Sequence, residues 1–280
     1  MVDDNDMNKN GLPILHNGII SYIEGVNENH DDYHAEGLDN LYKVESNYFW
    51  FKCRRKKIIG FFKKYISTHK KIIEIGSGTG SVSRALLNEG YKPAVGELHL
   101  SGLYYAKNYG IKDLYQFDLF TPPFLNEFEC VGMFDVLEHL EEDVLAIKSV
   151  AKILKPKGRI ILTVPAHNWL WNRDDKIAGH KRRYSKETLV SVVESAGFNV
   201  LEVRYFFIFI LPLLWLRTVI NSDSHELVTD DEYSIDLKIN PIINRVLLVL
   251  CDLEGKVSKY LPNIVGGSLI LIAEKNDDPL

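Results

Sequence analysis

Residues Ile72-Ile73-Glu74-Ile75 run directly into Gly76-Ser77-Gly78-Thr79-Gly80, and Ser81 opens a stretch of helical character. A buried, β-branched strand that breaks into alternating glycines and then a helix is the first unit of an open α/β sheet, and few other folds tolerate it. Glycine lacks a Cβ and accepts positive φ, so the turn lets backbone amides approach a ligand closely. The spacing excludes two common nucleotide loops. A dinucleotide fingerprint needs G-x-G-x-x-G, but its last place is occupied here by Ser81, and no lysine follows the glycines as a phosphate loop requires. Glu74, two residues before Gly76, would repel a phosphate but can hold an ammonium, directly or through water. The ligand should therefore carry a cation and no phosphate.

Three further stations follow in order. Ala94-Val95-Gly96-Glu97 reads as a second strand ending in an acid, about twenty residues past the glycines, as one strand-helix-strand unit requires. Gln116-Phe117-Asp118 follows a short third strand, and Val131 through Leu140, containing Asp135-Val136-Leu137-Glu138-His139, reads as a fourth strand and its loop. Together these residues resemble the class I S-adenosylmethionine-dependent methyltransferases, whose first motif is E/D-x-G-x-G-x-G. The resemblance implies a Rossmann-like, doubly wound seven-stranded α/β sheet with the last strand antiparallel and helices on both faces. It also implies S-adenosylmethionine as cofactor, held by Glu74, Gly76, Gly78 and Gly80, with Glu97 on the ribose hydroxyls, Asp118 on the adenine amino group and Asp135 at the catalytic face.

Two other segments resemble a small-molecule subset of that family, of the type 11/12 kind. Tyr48-Phe49-Trp50-Phe51 with Arg54-Arg55 is similar to its F-W-F-x-x-R-R helix, which implies that Trp50 and Arg54 reach the methionine end of the cofactor. That helix is expected to run to about Ile66, with Ser46 as its N-cap. Pro165 to Lys176 and Gly179-His180-Lys181-Arg182-Arg183-Tyr184 are similar to the subset's long loop after strand five. Loops at such strand ends are disproportionately functional. An acceptor hydroxyl needs a group to take its proton, and histidine is the side chain best poised near neutral pH. His139, His167 and His180 are the candidates, with His139 and His180 preferred; the arginines beside His180 would keep it neutral or bind an acidic substrate. The zinc module that begins some members has no counterpart, and Cys53, Cys130 and Cys251 lack C-x-x-C spacing, so no metal is expected.

Composition narrows the acceptor. A formal charge of −5 over 280 residues leaves no basic footprint for nucleic acid. The D/N-P-P-Y/F signature of nucleobase amine methylation is absent, as is a Pro-Cys nucleophile, which favours an O- or C-methyl acceptor on a small molecule, lipidic or glycosylated. The acidic N-terminus is unlike a secretory signal and points to the cytoplasm. Residues 1–45 read as an N-terminal extension, disordered to about residue 12. Residues 46–207 and 264–276 read as the methyltransferase domain, with 208–263 an apolar helical insertion before the last strand. The apolar run from Phe206 to Leu216 is too short for a membrane span and is broken by Pro212. Residues 206–260 offer a lid, a peripheral membrane contact or a homodimer contact. An NAD(P)-linked oxidoreductase and a non-catalytic cofactor-binding partner subunit are the alternatives.

Overall fold

The computed structural model describes residues 13–23, 35–220 and 239–277. The expected disorder before residue 12 and the polar excursion at 221–238 lie outside the described residues. In chain order the strands are β1 (Ile14–His16), β2 (Ile19–Ser21), β3 (Ile72–Ile75), β4 (Pro93–Glu97), β5 (Leu114–Gln116), β6 (Phe128–Phe134), β7 (Leu154–Pro165), β8 (Phe198–Phe206) and β9 (Ser268–Lys275). They form one sheet in the order β1-β2-β5-β4-β3-β6-β7-β9-β8. The run from β5 to β7 is parallel, and β9 enters antiparallel between β7 and β8.

A parallel sheet is covered on both faces, so its strands read as continuous apolar runs. Every residue of β3 is buried. Strand alternation sends Ile73 into a core with Met133 and Ile147, and Ile72 into a second core with Phe62 and Ile270. Helices α2 (Phe49–Tyr65), α3 (Ser81–Asn88), α4 (Leu100–Asn108), α5 (Asp143–Ile153) and α7 (Lys186–Ser195) cover the sheet, with α1 (Ala35–Val44) against α4. The described insertion contributes α8 (Leu211–Ile220) and α9 (Pro241–Val257).

Among the described residues the sheet has nine strands, where seven were expected. The N-terminal extension supplies the difference: Asn17 and Gly18 both take positive φ, 47° and 83°, and turn β1 back on β2. Asn-Gly is a strong hairpin signal. β2 then pairs in parallel with β5 and extends the sheet at that edge.

A second expectation fails for a tertiary reason. Ser46 does not cap α2; Tyr48 occupies the N-cap position and makes no side-chain cap. The free amide of Phe49 donates instead to Asn244 Oδ1 at 2.8 Å, and Asn244 Nδ2 donates to the Asn47 carbonyl at 3.0 Å. The insertion thus caps the helix. Ser185 does cap α7, in a reciprocal pair with Thr188. Glu254 of α9 is buried and accepts the backbone amides of Ile208 and Phe209 at 2.7 and 3.0 Å, fixing the chain as it leaves β8.

α8 and α9 expose an apolar surface that includes Trp215, Ile220, Ile242, Ile243 and Val249. Among the described residues no helix is long and apolar enough to cross a membrane.

Candidate active site

The carboxyl ends of β3, β4 and β6 converge, as open α/β sheets require of a ligand site. Gly76, Gly78 and Gly80 take φ of 66°, 53° and 78° in the turn after β3. A Cβ at Gly76 would stand 2.7 Å from Val136, and one at Gly80 would stand 2.7 Å from Ala106, so both positions are closed to any side chain. Gly102, in α4, supports the turn from behind: a Cβ there would meet the Gly78 carbonyl oxygen at 2.4 Å. Gly102→Ala is therefore expected to cost about 1–3 kcal/mol through overpacking. Thermal denaturation reads the loss as a lower Tm, and an unchanged Tm would mean that the turn yields freely.

Charged groups ring this turn. Glu74 is buried, and Ser83 Oγ donates to its carboxylate. Burial pushes Glu74 up to about 7 against the lowering effect of Ser83 and Arg54. Arg54 projects from α2 and pairs with Asp135, whose other oxygen accepts from Thr163 Oγ1 at 2.8 Å. Among the described residues, Arg54 Nε and Ser77 Oγ are buried without a hydrogen-bond partner. Trp50 stacks on Phe207 with ring centroids 4.1 Å apart. Glu97, at the end of β4, accepts from the amides of Gly78 at 2.8 Å, Leu98 at 2.7 Å and His99 at 3.3 Å. Asp118 follows β5 and accepts from the Phe120 amide at 2.9 Å.

Beyond Asp135 the chain makes a short 3-10 turn over Leu137–His139. The loop after β7 folds back on it: the Lys181 amide donates to the Glu138 carbonyl at 2.8 Å. That bond brings His139 and His180 together, edge to face, with centroids 4.8 Å apart. His180 Nδ1 lies 2.8 Å from Asp175 Oδ1, and Arg183 Nε donates to the same oxygen at 2.8 Å. Burial would raise Asp175, but His180 and Arg183 outweigh it and hold the carboxyl below its usual range. Facing a carboxylate, Nδ1 is the donor, and in the neutral tautomer the lone pair then sits on Nε2. Burial, reinforced by His180, pushes His139 down to about 4.

His167 stands apart from this pair, stacked between Trp169 and Tyr205. Asp175 and Glu138 escaped the sequence reading. Asp175 had a local signal, since Asn172 and Asp175 form a capping box on α6 (Arg173–Ile177). Its contact with His180 depends on the return of the loop. The arginines near His180 reach carboxylates instead: Arg183 bonds Asp175, and Arg182 bonds Asp143 at 3.1 Å.

The profile of the methyltransferase-domain family matches residues 48–203, more than half of the chain. No curated protein matches significantly in sequence. Among solved structures, phosphoethanolamine N-methyltransferase 2 of Haemonchus contortus, in complex with S-adenosyl-L-methionine, superposes with a TM-score of 0.57 at 16% identity, covering 89% of this chain and 59% of that one. A chain from the complex of a Haloferax volcanii methyltransferase activator with a methyltransferase gives 0.56 at 14% identity, covering 88% and 99%. The cyclase SpnF gives 0.51 at 17% identity, covering 79% and 81%. At such identities the likeness shows the fold alone, and a cyclase among the neighbours underlines that fold does not name a reaction. The sequence profile does what the superpositions cannot: this chain belongs to the methyltransferase-domain family and is a class I S-adenosylmethionine-dependent methyltransferase.

Proposed function

We propose that this methyltransferase methylates a hydroxyl group of a small-molecule acceptor, with His180 taking the acceptor's proton and Asp175 acting as the positioning residue behind it. The observation that carries the reading is the 2.8 Å Asp175–His180 contact, held beside His139 just beyond the carboxyl end of β6. S-adenosylmethionine, when bound, supplies an electrophilic methyl group on a sulfonium. The chain's residues then have to hold it, align the acceptor for in-line attack and accept one proton.

The turn after β3 fits that cofactor. The glycine amides are held by Gly96, Glu97 and Ser77, which fixes the turn and lets its bare Cα atoms admit a ligand closely, and Ser77 Oγ and Arg54 Nε, partnerless among the described residues, supply polar atoms for the amino-acid end. Glu74 is the counter-charge for an ammonium. Arg54 is already committed to Asp135, so its role is to set that carboxylate in place and leave Nε for the cofactor's carboxylate. Of the lone pairs on Glu97, Oε1 serves two amides and Oε2 one, which leaves Oε2 one position for a ribose hydroxyl. Asp118 stands where the adenine amino group is expected, and Trp50, stacked on Phe207, walls the methionine end.

Glu74 makes cofactor binding pH-dependent. Its folded value of about 7 lies above the ordinary 4.5. The stability it contributes is therefore complete below about 4.5 and is lost as pH rises through about 7. An ammonium beside it favours the ionised form, so affinity for S-adenosylhomocysteine should rise across the same window, by at most about tenfold per pH unit. Calorimetry at pH 6 and pH 8 checks this. Glu74→Gln should flatten the profile, and a wild-type affinity independent of pH would remove Glu74 from the ammonium site.

α8 ties the insertion to the acceptor loop. Thr218 Oγ1 donates to the Leu170 carbonyl at 3.2 Å, and Arg217 pairs with Asp174 at 2.7 Å. With Trp169 half exposed on the same loop, this favours an acceptor with an apolar portion. The acceptor is found by incubating an extract with the enzyme and methyl-labelled S-adenosylmethionine, followed by mass spectrometry. Label recovered only on nitrogen would overturn the hydroxyl assignment.

A further inference from the structure

Glu138 is the side chain that methyl transfer leaves unexplained. It is fully buried, and neither carboxylate oxygen has a hydrogen-bond partner among the described residues. Native structures rarely leave such a group alone. A proton alone does not resolve the matter, because the protonated form still presents a donor and an acceptor with nothing to meet.

Two imidazoles face it. His180 Nδ1 is pinned to Asp175, so Nε2 presents its lone pair, and this atom lies 3.9 Å from Glu138 Oε1. That is too far for a hydrogen bond, and small side-chain rotations would bring the two atoms to the roughly 3.3–3.6 Å that separates two ligands of one tetrahedral ion bound at about 2.0–2.2 Å. His139 Nδ1 is buried with no hydrogen-bond partner among the described residues. One ligand atom from each of Glu138, His139 and His180 lies within 4.8 Å of the others.

We propose that Glu138, His139 and His180 form a binding site for a single divalent transition-metal ion. Two imidazoles and one carboxylate are the donor set of open zinc and iron(II) sites, which keep a coordination position for a substrate oxygen. Asp175 supplies the carboxylate behind a ligating histidine that fixes the tautomer and ring orientation. The ligands sit on two rigidly joined segments, since the Lys181 amide bonds the Glu138 carbonyl and Arg183 braces Asp175. The sequence held no ligand spacing to suggest this, because His139 and His180 belong to different loops. The site itself stands without the methyl-transfer reading. Nε2 cannot bind the ion and take the acceptor's proton at once, so the ion-bound and proton-accepting forms of His180 exclude each other.

The test uses the full chain, stripped with chelator and titrated with Zn²⁺ by calorimetry in the absence of cofactor and acceptor. One ion per chain is expected. Glu138→Gln and His180→Ala should each weaken binding at least a hundredfold, and Asp175→Asn about ten- to a hundredfold. His139→Asn serves as a further variant, and retained S-adenosylhomocysteine binding shows that each variant is folded. No binding to the wild type, or an affinity that Glu138→Gln and His180→Ala leave unchanged, would overturn the site. Because no methyl transfer is measured, that failure would leave the methyltransferase reading untouched.

Discussion

Replacing His180 with alanine is expected to lower kcat by about 10²- to 10⁴-fold, the usual worth of a positioned proton acceptor, while affinity for S-adenosylhomocysteine changes little. The split follows from geometry. His180 meets His139 and Asp175, whereas Glu97 bonds the glycine turn and Glu74 accepts from Ser83. Asp175→Asn should act in the same direction and more weakly. It preserves shape but loses the charge that keeps the Nδ1 proton in place and favours the charged imidazole. Steady-state kinetics beside calorimetry separates these effects, and full activity in His180→Ala would eliminate the residue from the chemistry.

Glu97→Ala should weaken cofactor binding by about 1–3 kcal/mol, roughly five- to 150-fold, as expected when a buried charge-assisted hydrogen bond is lost. The reason is partly indirect. Glu97 bonds the Gly78 amide at 2.8 Å, so its removal frees an amide of the turn that shapes the cofactor pocket as well as deleting the hydroxyl acceptor. Glu97→Gln keeps the size but places an amide where an acceptor is needed, and it should fall between the two. Calorimetric affinity for S-adenosylhomocysteine is the measurement, and an unchanged value in the alanine variant would take Glu97 out of the ribose site.

Much of the sheet was legible because its signals are local. β3 has four consecutive buried residues, and a glycine run that must turn follows at once. β4, β5 and β6 follow at the spacing that strand-helix-strand units demand. The strand count failed at the N-terminal hairpin, although Asn17-Gly18 was there to be read; strands of three residues carry too little periodicity to stand out. The cap of α2 failed for a deeper reason. Ser46 is a good N-cap by type, but the amide of Phe49 is satisfied by Asn244, 195 residues away, and no local pattern announces a partner at that distance.

The candidate site divides along the same line. Glu74, the three glycines, Glu97 and Asp118 lie at or next to strand ends, where backbone geometry decides their neighbours, so their order along the chain was enough to carry the resemblance that implied the cofactor. The acceptor side is assembled by contacts between loops. His180 was a candidate by residue type, but its partner was read as arginine and proved to be Asp175. Glu138 was only part of a strand-end motif until the fold left its carboxylate buried and partnerless against two imidazoles.

The amino-acid sequence by itself determined the α/β class and the glycine turn, because hydrophobic periodicity, backbone freedom and charge at a turn act over a few residues, and the resemblance of its motifs to class I methyltransferases supplied the methyl donor. Only the tertiary structure decided which side chains gather around His180, how α2 is capped and how the sheet gains its outer strands. Those outcomes depend on desolvation and on pairing between segments far apart in the chain, and both exist only after the chain has closed on itself.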